Sequence, residues 1–306
     1  MAPADGNRRR WVIAASALLA GCATAVPPRL TFDGRWLVPL RGLLGARLVR
    51  KTDIGGNPTP DGYGNYQPFM FPVAVAATSL DIYIADAGLG RILRYDRMLD
   101  VMTVMPGTAN RGTRLQTGPD GSVYVLDAAT SSISRLARGG QALPPLTPQL
   151  PTTRYREFAI DPRTGRAYAI DANHFRLDRI EPLGRIAVSE FDLAQGSAVA
   201  AGDRSVYVAD AACRCINEWR DGQLLRRFAS GELRQPIAIA VERQTLVALD
   251  AFDRSLCLVH QGGVDRLAAH QLGLVTPEAI ALLDGQLIVA DGAGHSVAIF
   301  RVAPRP

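Results

Sequence analysis

Residues 213–215 read Cys-Arg-Cys, a spacing that would suit half of a metal site or a redox pair. A structural zinc takes about four ligands in a tetrahedral arrangement. No second Cys-x-Cys and no histidine pair lies nearby in sequence. Cys257 is the remaining thiol besides Cys22, so the count allows one disulfide and one free thiol, with the pairing open. The histidines are His174, His260, His270 and His295, all widely spaced. Glu157 and Glu278 flank apolar runs, but a hard cation needs several oxygen ligands that converge, and nothing near them completes such a set. No Gly-x-Ser-x-Gly turn and no Ser-His-Asp order stands out. What does recur is an aspartate at the end of a short apolar run: Asp86, Asp127, Asp171, Asp210, Asp250 and Asp291. A catalytic acid has no reason to repeat in this way. A turn does, because a carboxylate accepts hydrogen bonds from the backbone amides that follow it. These residues are expected to be structural corners, with no catalytic residue, no metal and no cofactor assigned.

The elements that carry the aspartates share one pattern. IYIAD, VYVLD, AYAID, VYVAD, LVALD and LIVAD end at steps of 41, 44, 39, 40 and 41 residues. Each run is rich in β-branched, aromatic and small apolar residues, as a buried strand requires. Six residues beyond each aspartate stands another aliphatic: Ile92, Ile133, Leu177, Ile216, Leu256 and Val297. Upstream lies a second apolar run, as in PVAVAA at 72–77 and PIAIAV at 236–241, with a weak copy at 115–117. Turn residues such as Pro119-Asp120-Gly121 and Asp284-Gly285 separate the two. A fourth run follows downstream, as in GQLLRRF at 222–228. The unit is four strands in about forty residues, repeated six times, which predicts an all-β, six-bladed β-propeller of four-stranded antiparallel blades. The chain ends after the third strand of the last unit, so a strand from residues 35–51 is expected to complete that blade.

The units resemble NHL repeats. The match rests on Pro72-Val73-Ala74-Val75, Tyr83-Ile84-Ala85-Asp86 and Arg91-Ile92, and in the last unit on Ala290-Asp291 with His295. Ser131-Ser132, His174-Phe175 and Arg254-Ser255 depart from the pattern. The resemblance implies a six-bladed propeller. Such families include protein- and RNA-binding platforms, and related six-bladed rings include lyases, lactonases and quinone-dependent dehydrogenases. Fold alone does not choose among these.

Arg8, Arg9 and Arg10 precede an apolar run, Trp11–Ala20, too short to span a bilayer core of about 30 Å. Leu19-Ala20-Gly21-Cys22 then resembles a bacterial lipobox. That likeness implies cleavage before Cys22 and diacylglycerol on its sulfur, with export by the general or the twin-arginine route left open. Ala23 after the lipidated cysteine favours the outer membrane, with the protein facing the periplasm or the cell surface. The expected organisation is a signal peptide at 1–21, a tether at 22–34 and one propeller at 35–306. The formal charge is +5, and residues 1–21 hold three arginines and one aspartate, so a chain cut before Cys22 carries +3. No basic run like a nucleic-acid arm is present.

Non-catalytic binding of another envelope protein is the leading expectation. Loops leading into the inner strands carry the candidate contacts: Tyr63, Tyr66 and Phe69 within 55–71, Arg111 and Arg114 before the second unit, and Arg154, Tyr155 and Arg156 at the end of 144–156. Aromatic residues and arginine are what binding hot spots favour. The competing expectations are a propeller enzyme working at the mouth of the central channel, and glycan binding by the aromatic segment.

Overall fold

The computed structural model describes residues 36–50, 59, 62–127, 129–147, 154–182, 186–202 and 204–303, with backbone only for 186–192. The signal segment, Cys22 and the tether lie outside the described residues.

Six sheets, antiparallel apart from one parallel pair in the first, stand around one axis. The chain first lays down three strands, β1 (Leu37–Leu43), β2 (Gly45–Val49) and β3 (Tyr63–Pro68). Blade 1 then runs from β4 (Pro72–Ala77) through β5 (Asp81–Asp86) and β6 (Arg91–Asp96) to β7 (Val101–Met105). Blade 2 holds β8 (Arg114–Thr117), β9 (Val123–Asp127), β10 (Ser132–Leu136) and the two-residue β11 (Ala142–Leu143). Blade 3 holds β12 (Tyr155–Ile160), β13 (Ala167–Asp171), β14 (Arg176–Ile180) and β15 (Ile186–Asp192). Blade 4 holds β16 (Gly196–Gly202), β17 (Ser205–Asp210), β18 (Cys215–Arg220) and β19 (Gln223–Phe228). Blade 5 holds β20 (Pro236–Glu242), β21 (Thr245–Asp250), β22 (Ser255–His260) and β23 (Gly263–Ala268). Blade 6 holds β24 (Pro277–Leu283), β25 (Gln286–Asp291) and β26 (Ser296–Val302), and β1 pairs along β26 as its fourth strand, from Leu37 opposite Val302 to Leu43 opposite Val297. The innermost strand of each blade touches the next, and β24 lies against β4, so the ring closes.

The apolar runs follow from this packing. A strand with one face in water alternates apolar and polar residues; one covered on both faces need not. On β5, Ile82 and Ile84 join the apolar wedge between blades 6 and 1, while Tyr83 and Ala85 join the wedge between blades 1 and 2. Each of the other four junctions has its own wedge, so the core is divided among the blade boundaries. Each aliphatic side chain buried there contributes roughly 1.5–3 kcal/mol.

Blade 1 departs from the four-strand expectation. β2 adds to β7 in parallel and β3 pairs antiparallel outside β2, giving a sheet of six strands. Tyr63 and Tyr66 are therefore in an outer edge strand rather than in a loop leading to the channel, and both are exposed. Phe69 is 2% exposed and packs in the wedge between blades 6 and 1. This corrects the contact surface expected at 63–69: its tyrosines sit on the rim, and its phenylalanine is core.

The six aspartates stand at the corners, and the reach of four of them, Asp86, Asp171, Asp250 and Asp291, is wider than the turn that follows. Asp86 accepts the amides of Met70 at 2.8 Å, Phe71 at 2.9 Å and Leu89 at 3.0 Å, so it ties its hairpin to the segment entering its own inner strand. Asp291 repeats this with Val275, Thr276 and Gly294, and Asp250 with Arg234, Gln235 and Phe252. Asp171 accepts the amides of Arg154 and Asn173 and pairs with His174. Burial alone would raise the Asp171 carboxyl, but His174 and those amides hold it below its ordinary value. The residue four positions past each aspartate is left-handed: Gly90, Ser131, Phe175, Arg214, Arg254 and His295, with φ from 50° to 66°. Five of these carry a side chain, a conformation that costs about 1–2 kcal/mol, which the corner hydrogen bonds offset.

Blade 4 has the sparsest corner of this kind apart from blade 2. Asp210 accepts the Ala212 amide at 2.9 Å, and a disulfide joins Cys213 to Cys215 beside it. Cys215 opens β18 and is buried. Cys257 is buried and free, and burial pushes its thiol up to about 11. A crosslink closing so short a loop removes little entropy from the unfolded chain, roughly 1.6 kcal/mol by the loop-closure relation. Reducing this disulfide should therefore lower the urea stability of the protein by less than about 2 kcal/mol, and unfolding under reductant alone would contradict that.

Candidate functional site

The aspartate corners and the segments that enter the inner strands lie on one side of the ring, here the corner face. Five inner strands begin with a β-bulge on that side, whose extra residues are Val73, Arg156, Ser197, Ile237 and Glu278. A bulge re-aims a side chain out of the regular pleat. The next residue pairs with the one preceding each corner aspartate. Around the ring those positions are Ala74, Arg114, Glu157, Ala198, Ala238 and Ala279. Small residues let six inner strands converge. The two charged ones stand on neighbouring blades, and Arg114 Nε donates to Glu157 Oε2 at 2.7 Å. Arg114 also donates to the carbonyls of Arg111 and Thr113 at 3.1 and 3.0 Å, which fixes its guanidinium.

These residues line the channel mouth with Glu278, around a cavity of about 30 Å³ floored by Leu115, Val199, Ile239 and Ile280. Glu157 is 8% exposed. Burial pushes its carboxyl above the ordinary range, and Arg114 and the Phe158 amide work against that rise. Burial likewise raises Glu278, opposed by Arg111 and Arg114 across the mouth. The Arg111 guanidinium sits 4.7 Å from the centre of the Phe71 ring. A side chain at Gly292 would meet Phe71 at 2.9 Å and Glu278 at 3.0 Å, so the glycine lets that cluster close.

Of the residues expected to contact a partner, Arg111, Arg114, Arg154 and Arg156 are on the corner face. Arg111, Arg154 and Arg156 are exposed there, and Arg114 is committed to Glu157. Tyr155 is a correction: it is 0% exposed, and its hydroxyl donates to Asp178 Oδ2 at 2.9 Å inside the blade 2–blade 3 wedge. The Arg114–Glu157 pair escaped sequence reasoning. Its one signal was the weak inner run of the second unit, where a charged residue stands in place of an alanine.

A cation held by hub carboxylates, as a metal-dependent lactonase would require, does not fit. Glu157 and Glu278 stand on opposite blades, alanines fill the hub positions of the other blades, and a guanidinium occupies the neighbouring one. Among the described residues no three His, Cys, Asp or Glu side chains cluster as a metal site.

Removing Arg114 tests the balance at the mouth. Arg114→Ala leaves Glu157 buried without its partner and should cost about 3–5 kcal/mol at neutral pH; adding Glu157→Gln should restore much of it. The sign with pH follows from the raised carboxyl. The native protein keeps a proton that the unfolded chain releases, so this stabilising contribution is full below the unfolded value and lost as pH rises through the native one. Urea midpoints measured across that window should fall with rising pH in the wild type and fall less in Glu157→Gln, where the raised Glu278 remains.

Ring and mouth together define a six-bladed β-propeller. Solved structures of similar fold include virginiamycin B lyase from Staphylococcus aureus, with a TM-score of 0.58 and 11% identity over 86% of this chain and 99% of that one. A gluconolactonase from Xanthomonas campestris has a TM-score of 0.60 and 17% identity, covering 89% and 99%. A chain of a nidogen/laminin complex has a TM-score of 0.56 and 19% identity, covering 71% and 88%. At these identities the likeness is one of fold. No protein-family model matches the sequence, and no curated protein is similar to it.

Proposed function

We propose that the protein is a lipid-anchored propeller of the bacterial outer membrane, facing the periplasm, that binds an acidic envelope protein on its corner face without chemical turnover. The charge of that face carries the reading. Arg111, Arg154, Arg156, Arg214, Arg234 and Arg254 are exposed on it. The Arg234 guanidinium lies 4.5 Å from the centre of the exposed Phe252 ring, a second arginine–aromatic pair beside Arg111 and Phe71. The corner aspartates spend their oxygens chiefly on backbone amides, and Glu278, half-buried at the mouth, offsets only part of the charge of Arg111 and Arg254. Asp253 is exposed there but is bound to Arg266 at 3.2 Å. Anchoring rests on the lipobox-like segment; no helix among the described residues is long and apolar enough to cross a membrane.

Affinity purification of the lipidated protein from native membranes tests this. Arg111→Glu with Arg234→Glu should lose the captured partner, while Arg163→Glu on the opposite face should keep it. Capture unaffected by the double reversal overturns the reading. Labelled palmitate should enter the wild type and not Cys22→Ala. A second reading, an enzyme at the mouth, is favoured by Glu157, a buried carboxyl raised by its surroundings next to an open cleft, as acid–base catalysts often are. Turnover of a lactone or sugar acid that Glu157→Gln abolishes would decide for it.

A further inference from the structure

Beside the channel mouth a cleft of about 210 Å³ opens between blades 3 and 5. We propose that it is a carboxylate pocket, taking a single carboxylate on a short apolar stem, and that Arg156 holds the carboxylate. The proposal deepens the binding role assigned to the corner face and rests on it.

The bulges build the pocket. The extra residues of three successive blades, Arg156, Ser197 and Ile237, all line it. Regular strands would turn these side chains into the blade boundaries; the bulges turn them to one opening. Ile237, Pro236 and Ala211 form an apolar wall suited to methylene groups, and the Gln195 and Gln235 amides stand at its edge.

The charge selects the head group. Arg114 and Glu157 both line the cleft, but they are bonded to each other at 2.7 Å and cancel. Arg156 is exposed, no ion pair within 4 Å engages it among the described residues, and its charge also acts on the buried Glu157. The cleft therefore offers one net positive charge in a planar fork that matches a carboxylate with two parallel hydrogen bonds. A dianion such as phosphate would place its second charge near the Glu157 carboxylate, where like charges repel. A cation would meet Arg156. Ser197 Oγ donates to the Ala209 carbonyl at 3.3 Å, which leaves its lone pairs, rather than its proton, facing the opening. That suits an amide N–H on the ligand's stem.

The same chemistry is available from a free organic acid or from a glutamate side chain of the partner, and calorimetry on the soluble domain (residues 23–306) separates them. The first probe is N-acetylglutamate amide, which carries one carboxylate; its control is N-acetylglutamine amide, of the same shape without charge. The glutamate probe should bind saturably and the glutamine probe should not. Arg156→Gln should weaken binding at least about tenfold, the effect of losing a charge-assisted pair, while Arg163→Gln on the opposite face leaves it unchanged. A ten-residue peptide with one central glutamate binding more than about tenfold tighter than the free probe assigns the pocket to a partner's side chain; equal affinity assigns it to a small acid. No binding, equal binding of both probes, or binding indifferent to Arg156→Gln overturns the proposal. The platform reading is scored separately by partner capture: capture without probe binding sinks the pocket alone, and probe binding without capture sinks the platform alone.

Discussion

A chain lacking residues 36–43 is expected to lose cooperative unfolding altogether. β1 is the only described strand from the N-terminal side within blade 6, and it pairs with β26 along its whole length. Trp36 and Leu37 are buried in the wedge between blades 5 and 6, and Leu43 in the wedge between blades 6 and 1. At roughly 1.5–3 kcal/mol for each such side chain, their loss removes on the order of 5–9 kcal/mol. That is comparable to the whole stability of a typical domain, about 5–15 kcal/mol. The edge of β26 would also be left unpaired, which favours association between chains. Heat or urea melting followed by circular dichroism should show a broad, noncooperative transition and aggregation. A synthetic peptide of residues 35–44 added in trans should restore a sharp transition. A truncated chain that melts like the wild type would show that the ring does not depend on this closure.

Asp250→Ala should be among the most damaging single substitutions at a polar residue. Asp250 is fully buried and accepts three backbone amides at 2.9 to 3.2 Å, and it also receives Arg266 Nη1 at 3.2 Å. Each buried amide left without an acceptor costs about 1–3 kcal/mol, so a loss of about 3–5 kcal/mol is expected after partial relaxation and hydration of the loop. Asp250→Asn keeps one acceptor oxygen and should fall between that value and the wild type. Asp210→Ala should cost only about 1–2 kcal/mol, because Asp210 accepts the Ala212 amide alone among the described backbone donors. Urea midpoints for the three variants provide the comparison. Equal losses at Asp250 and Asp210 would mean that the aspartates stabilise through charge or solubility rather than through the amides they accept.

The six sheets were legible because each strand buried on both faces must be apolar throughout, and such runs recur at a nearly constant step. The closure of blade 6 by residues near 37 was legible for a related reason: the last unit is one strand short. The outer pair β2 and β3 was not. GARLV and YGNYQP cover a rim rather than a core, so they need no apolar alternation, and a proline is tolerated on an edge. The same composition made Tyr63–Pro68 read as a loop. At the mouth, Arg114 and Glu157 meet because two successive blades place equivalent positions side by side, and neither residue marks this in its own neighbourhood. The left-handed residue of each hairpin was hidden in another way. Only Gly90 has a glycine there, so the position shows itself by its distance from the aspartate and not by residue type. The disulfide pairing was beyond reach, since three thiols allow every choice until their positions are known.

The pairing of residue 37 with residue 302 fixes an order of events. During synthesis the first strand of the ring emerges with nothing to bind, and its partner is the last strand of the ring to appear. Contacts so distant along a chain form slowly. Blades 1 to 5 can pair internally as each hairpin appears, but they remain an open arc with a sticky edge at either end until β26 has emerged. A nascent chain in that state is one that holding chaperones should recognise, and any stop codon even a few residues before Val302 would leave the arc unlatched.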